Sequence, residues 1–201
     1  MGKIYYIMGK SSSGKDSVFK EIQKRMPELS QITMYTTRPI REGERDGGEY
    51  YFTDETGLKK LEEEGRVIEL RAYNTKCGVW KYFTVNDGQI QLGGKNRYIV
   101  IGTLEAYDGF CKYYGKEHLL PIYIEVDDGV RLQRALERER SQAEPKYAEM
   151  CRRFLADEAD FSPEKLQEAG ITKTFVNNDL EHTEQEIISY VKSCMTESTM
   201  R

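Results

Sequence analysis

The chain has 201 residues, 38% of them hydrophobic, with 34 acidic and 30 basic side chains and a formal charge of −4. That length suits one domain with a proper core, and the charge balance excludes a global basic field for nucleic acid or a membrane surface, so any anion site must be local. The opening residues lack the apolar core of a signal peptide, and no stretch approaches the roughly 18 apolar residues of a spanning helix, so a soluble, cytoplasmic protein is expected.

The first element is an apolar strand, Lys3–Met8. It runs into Gly9-Lys10-Ser11-Ser12-Ser13-Gly14-Lys15-Asp16-Ser17, and a helix follows over Ser17–Arg25, closed by Pro27. Glycines at 9 and 14 permit a tight turn whose N–H groups converge on phosphate oxygens, and the helix adds its positive dipole end. Lys15 then reaches the β- and γ-phosphates of a nucleotide, and residues 9 to 17 form the donor-binding loop. Asp16 stands where this pattern places a Ser or Thr hydroxyl on magnesium, and is read as a charged ligand for the metal.

From 31 to 85 the character changes to Tyr, Thr, Arg and Gly, with short alternating segments at Gln31–Thr37, Glu49–Thr53, Val67–Tyr73 and Trp80–Val85. A small, mostly antiparallel insert is expected there. Further strands are expected at Tyr98–Ile101, Leu120–Val126 and Thr174–Val176, and their alternation with helical patterns predicts a parallel sheet flanked by helices. Residues 131–154 read as an arginine-rich helical lid broken near Ser141–Pro145, and Glu181–Lys192 as an amphipathic tail helix. The core is thus 1–30, 86–130 and 155–201 of a single domain. Cys77, Cys111, Cys151 and Cys194 are scattered, which argues for reduced thiols and against zinc. His118 and His182 read as surface residues.

The stretch Thr36-Thr37-Arg38-Pro39-Ile40-Arg41-Glu42-Gly43-Glu44, followed by Asp46-Gly47 and Tyr50-Tyr51, resembles the guanylate kinase family. Together with the glycine-framed loop, the resemblance covers most of the chain and implies a P-loop kinase fold with an acceptor-binding insert and a lid. Arg38, Arg41 and Tyr50 fall on the positions that hold the acceptor's monophosphate. Two guanidinium forks and a phenol suit a phosphate dianion on chemical grounds as well. Glu69, in Val67-Ile68-Glu69, matches the family glutamate that accepts from guanine N1–H and N2–H₂, and Asn177, in Val176-Asn177-Asn178-Asp179-Leu180, falls near the donor adenine.

Other positions depart from that family. Its guanine-contacting Ser aligns with Met34, its Tyr-Gly-Thr/Ser with Cys77-Gly78-Val79, and its Asp-x-Asp with Ile101-Gly102-Thr103. Gly78 and Thr103 remain candidate substrate contacts, and Glu69 alone survives of the base-reading set. Gly14-Lys15-Asp16-Ser17, Gly102-Thr103 and Asn177-Asn178-Asp179 resemble ribose 1,5-bisphosphate phosphokinases instead.

The implied activity is ATP- and Mg²⁺-dependent phosphoryl transfer to GMP or dGMP, by a monomer or homodimer whose partners are small-molecule nucleotides. A ribose 1,5-bisphosphate kinase is the alternative. A non-catalytic binding module of the same fold is opposed by Gly9, Gly14 and Lys15. The acceptor phosphate is already a dianion near neutral pH and needs no general base. The catalytic set expected is Lys15, Arg38 and Arg41, with Arg138 or Arg134 and Arg152 or Arg153 arriving from the lid. Arg138 and Arg152 are chosen from those pairs.

Overall fold

The computed structural model describes residues 1–75 and 78–197, which leaves Cys77 outside. In chain order the elements are β1 (Lys3–Met8), α1 (Lys15–Arg25), β2 (Ser30–Gln31), β3 (Tyr35–Thr36), β4 (Tyr51–Phe52), α2 (Glu55–Glu63), β5 (Val67–Thr75) and β6 (Gly78–Val85). They continue with β7 (Arg97–Gly102), α3 (Leu104–Tyr114), a 3₁₀ turn, β8 (Leu119–Glu125), α4 (Asp128–Arg140), α5 (Tyr147–Asp160), α6 (Pro163–Glu168), β9 (Thr174–Val176) and α7 (Leu180–Glu197).

Five strands form a parallel sheet in the order β2-β7-β1-β8-β9. Its centre is β1, where Ile4, Tyr5, Tyr6, Ile7 and Met8 have no exposed surface. Such a run is apolar without alternation because helices cover both faces. Tyr5 and Ile7 pack with Val18 and Ile22 of α1 and Ile187 and Val191 of α7. Ile4, Tyr6 and Met8 pack with Tyr107 and Phe110 of α3. Burial of each such side chain contributes roughly 1.5–3 kcal/mol.

A second sheet, β4-β3-β6-β5, forms the insert. The β5–β6 and β3–β6 pairs are antiparallel, while β3 and β4 run parallel. Its own small core of Leu58, Phe83 and Val85 is too slight to stand apart, and β5 leans on α3. That approach is close: a Cβ on Gly109 would lie 2.5 Å from Glu69 Cβ.

The expected strand Gln31–Thr37 divides between the two sheets. Ser30–Gln31 extends the parallel sheet beside β7, and Tyr35–Thr36 belongs to the insert. The arginine-rich segment is two helices with a turn between them, closed by buried Glu139, which accepts from Lys146 N at 2.9 Å. At the C-terminal ends of β1, β7, β8 and β9 sit the glycine-framed loop, Thr103, Asp127 and Asn177. Ligands of open parallel sheets bind at that edge.

Candidate active site

Backbone geometry accounts for the loop's composition. Gly14 has φ 86° and Ser12 φ 64°, the left-handed region that glycine enters freely. A Cβ on Gly9 would lie 2.5 Å from the Ile124 carbonyl oxygen, so β1 can turn against β8 only without one. The Ser12 and Ser13 hydroxyls are buried with no hydrogen-bond partner among the described residues. Orphaned donors beside a helix N-terminus fit an anion rich in lone pairs.

Lys15 opens α1 with its ammonium 3.8 Å from Asp16 Oδ2, and the Asp16 side chain is 80% exposed. Ser17 is exposed as well. No group of three or more His, Cys, Asp or Glu side chains is placed to hold a metal ion among the described residues. A magnesium ion here would take one carboxylate from Asp16 and complete its shell with phosphate oxygens and water, the usual arrangement for this metal in kinase sites.

Asn177 is buried and donates from Nδ2 to the Ser13 carbonyl at 2.8 Å. The same nitrogen lies 2.5 Å from where a Gly14 Cβ would stand. Its amide nitrogen thus braces the loop from the end of β9, while its Oδ1 is buried without a hydrogen-bond partner among the described residues.

Helices α4 and α5 meet the loop through charge. Lys10 Nζ lies 2.7 and 2.8 Å from the two Glu158 carboxylate oxygens and 3.7 Å from Asp128, so its side chain points to the lid. Ser11 N donates to Asp157 Oδ2 at 2.7 Å. Arg131 is 1% exposed and sits over the Phe154 ring; it donates to Asp128, to Glu158 at 2.5 Å and to the Ser11 carbonyl. Arg134 reaches the Ser12 carbonyl at 3.5 Å. Beside them a cavity of about 30 Å³ is lined by Ser11, Ser12, Arg138, Glu139, Arg153 and Phe154. The structure brings Arg138 and Arg153 to the loop but not Arg152, which turns outward and pairs with Glu149 at 2.7 and 2.8 Å.

In the insert, Arg38 is 3% exposed and forked onto Glu44 at 2.6 and 2.7 Å, with the Tyr50 and Phe52 rings each 5.2 Å from its Cζ. Those bonds hold the Arg38 pKa above its ordinary value and pull Glu44 down to about 2. Glu44 also accepts from Arg41 N at 2.9 Å, and the Arg41 guanidinium lies 5.9 Å from the Trp80 ring. Burial raises the Tyr50 pKa, and charges at both Arg71 and Asp16 act on its hydroxyl. The phenol of the insert is thus within electrostatic reach of the start of α1.

Glu69 is engaged by a residue with no counterpart among the expectations. Arg71, 6% exposed like Glu69, donates from Nε to Glu69 Oε2 at 2.8 Å and from Nη2 to Oε1 at 3.3 Å. Arg71 Nη1 reaches Thr103 Oγ1 at 3.2 Å, and Thr84 Oγ1 donates to Glu69 Oε1 at 2.7 Å. Burial is the largest influence and lowers the Arg71 pKa, but Glu69, Tyr6 and Tyr73 together outweigh it and the net shift is upward. Thr103 caps α3 through the Ala106 amide. Gly78 is paired with Thr75 at the hairpin tip, whereas Glu69 pairs with Thr84 near the opposite end, so Gly78 is not brought to Glu69. The strand period of two was the available signal for Arg71, since residues 69 and 71 share a face. Asp157 and Glu158 had none beyond a charged helix.

A family model described as guanylate kinase matches residues 1–194. The chain belongs to the guanylate kinase family. Among curated relatives, the guanylate kinase of Thermobifida fusca is 40% identical over 67 residues, 33% of this chain and 34% of that one. The Thermotoga maritima guanylate kinase is 34% identical over 92 residues, 44% of each chain. The chain thus spans between a third and a half of the relatives it matches. A solved structure, guanylate kinase from Anaplasma phagocytophilum, superposes with a TM-score of 0.62 at 19% identity, covering 96% of this chain and 86% of that one. That likeness shows the fold, with the parallel sheet of a guanylate kinase.

Proposed function

We propose that the chain is an ATP-dependent nucleoside monophosphate kinase, and the names of its relatives put GMP and dGMP first among acceptors. The carrying observation is a pair of separate anion sites on one edge. One is the glycine-framed loop with Lys15, and the other is the insert's guanidinium and phenol at Arg38, Arg41 and Tyr50.

In this reading the loop amides, the Ser12 and Ser13 hydroxyls and Lys15 hold the β- and γ-phosphates of ATP. Arg38, Arg41 and Tyr50 hold the acceptor phosphate, whose dianion is the nucleophile. Magnesium, held by Asp16 directly or through water, supplies charge neutralisation on the donor. Arg138 and Arg153 stand nearest to contribute lid charge over the transferred group, with Arg152 left to lid packing. The acceptor insert of residues 31–85 and the lid of residues 131–154 then close toward each other during the cycle.

A coupled ADP-release assay tests this with GMP, dGMP, AMP, UMP, CMP and ribose 1,5-bisphosphate. Turnover with a nucleoside monophosphate is expected. Best turnover with the sugar bisphosphate, or none with any of the six, would overturn the reading.

A further inference from the structure

The insert joins the core through two crossings, residues 32–34 going out and residues 86–89 coming back. Ladder bonding lapses on the way out: Ile32 N still donates to the Ile99 carbonyl of the parallel sheet at 3.0 Å, and Tyr35 already pairs with Phe83 in the insert. Thr33 belongs to neither sheet, yet it is buried, and its N–H and C=O need partners. One side chain supplies both. Gln89 Oε1 accepts from Thr33 N at 2.8 Å, and Gln89 Nε2 donates to the Thr33 carbonyl at 3.1 Å.

The returning crossing holds that amide in place. Asp87 Oδ1 accepts from Gln89 N at 3.1 Å, and its Oδ2 accepts from Gln89 Nε2 at 3.1 Å and from the Tyr35 hydroxyl at 2.9 Å. Gly88 between them has φ 91°, the left-handed region open to glycine, and the turn there brings the two side chains together. The bonds admit one orientation of the amide, since turning it over would set its carbonyl oxygen against both the Thr33 carbonyl and Asp87. Beyond Thr33 the chain runs straight into the acceptor arm. Met34 O receives Tyr51 N at 2.9 Å, next to Tyr50, and Thr36 Oγ1 receives Arg38 N at 3.2 Å.

We propose that Gln89 is a positioning residue for the acceptor arm: its amide stands in for a missing strand, locks the two crossings together and fixes the setting of Arg38 and Tyr50 on the core. The inference rests on the nucleoside monophosphate kinase reading. Without the amide the insert keeps its tie to α3, where Asn86 Nδ2 donates to the Tyr113 hydroxyl at 2.9 Å, so the fold survives while the arm's angle spreads. A misplacement of about 1 Å at a reacting group can cost on the order of 100-fold in rate. Gln89→Glu isolates the bond at issue. Ionised, the substituted carboxyl opposes the Thr33 carbonyl and the Asp87 carboxylate, and that like charge favours its uptake of a proton; protonated, it donates again where the amide did.

The test measures the GMP dissociation constant by calorimetry, and kcat and both KM values with GMP and ATP, on the full chain, Gln89→Glu and Gln89→Ala from about pH 8 to about pH 5.5. Asp87, Tyr35, Tyr98, Tyr114, Glu28, Lys95 and Arg97 stand around residues 87 and 89, and none is a histidine, the side chain that ordinarily titrates in that window. Each value is taken relative to the native chain at the same pH, which removes the acceptor phosphate's own titration. Expected at the alkaline end is a loss of about tenfold in kcat/KM for GMP in both variants, with the ATP KM unchanged. On acidification the Gln89→Glu deficit should shrink to about threefold or less while the Gln89→Ala deficit stays. Native acceptor kinetics in both variants, a Gln89→Glu deficit that does not shrink, or an equal rise in the ATP KM overturns the proposal. Should neither variant fold, hydrogen exchange on the native chain decides: the Thr33 amide should exchange at least about 100-fold more slowly than an unstructured one, and unprotected exchange overturns the proposal. GMP binding that weakens in Gln89→Glu and recovers in acid, with no phosphoryl transfer by the native chain, sinks the kinase reading and leaves the Gln89 role standing.

Discussion

The two halves of the site are tied together by different kinds of bond. On the donor side the pairs are long-range: Lys10 with Glu158, Ser11 with Asp157, and Arg131 with both the loop and α5. On the acceptor side they are local: Arg38 with Glu44 six residues on, and Glu69 with Arg71 two residues on. Local pairs hold their geometry whatever the lid does, so the acceptor arms are set before any ligand arrives. With the lid movement proposed above, the long-range pairs would be remade at each closure, and the donor half would be assembled by it.

The largest effect should come from removing the Lys15 charge on the donor side. Lys15→Ala is expected to lower kcat by about 10³-fold with the fold retained, since donor-phosphate charge goes uncompensated. Steady-state rates beside a circular dichroism melt check it, and a native rate ends the donor assignment. Next, Arg38→Ala should raise the acceptor KM about 100-fold and change the ATP KM little. A change in both would show that the acceptor arm is not independent of the donor half.

Asp157→Ala probes the long-range side. Its carboxylate occupies a loop amide, Ser11 N, at 2.7 Å, and freeing that amide should tighten ATP binding several-fold by calorimetry. Weaker ATP binding would mean that the Asp157 contact supports the binding conformation instead of competing with phosphate.

Glu44 tests the local side through pH. Arg38 holds its carboxyl at about 2 against an ordinary 4.5, so its stabilisation is complete above the ordinary value and is lost as pH falls toward 2. The melting-temperature gap between the native chain and Glu44→Gln should be constant from pH 7 to 5 and shrink below pH 4. A gap that widens there contradicts the sign. The smallest effect is expected for Asp16→Ser, a few-fold shift in the magnesium concentration giving half-maximal rate. An identical titration curve would make Asp16 an ordinary helix-start residue.

Legibility in the sequence followed contiguity. Gly9, Gly14 and Lys15 could be read because the loop they shape is one unbroken stretch, and Arg38, Arg41 and Tyr50 because their motif spans few residues. The parallel sheet was legible from apolar runs, but β2 was not, because two exposed residues carry no pattern. Arg152 and Arg153 are neighbours on a helix and point about 100° apart, so sequence alone could not choose between them. Arg71 escaped notice although it shares a strand face with Glu69, because nothing local shows that Thr103 and Met34, 32 and 37 residues away along the chain, meet it there.

The tie from Tyr6 to Thr103 anchors the insert's ion pair in the central strand. Tyr6 is wholly buried in β1 between Tyr107 and Phe110, and its hydroxyl donates to the Thr103 carbonyl, while the Thr103 hydroxyl receives Arg71. Gly102 exists as glycine because a Cβ there would strike that same hydroxyl. Drift in the central strand, tolerated by selection for stability alone, would reach the buried Glu69–Arg71 pair of the insert. In a lineage of such chains, the insert's ion pair can shift with no substitution in the insert itself.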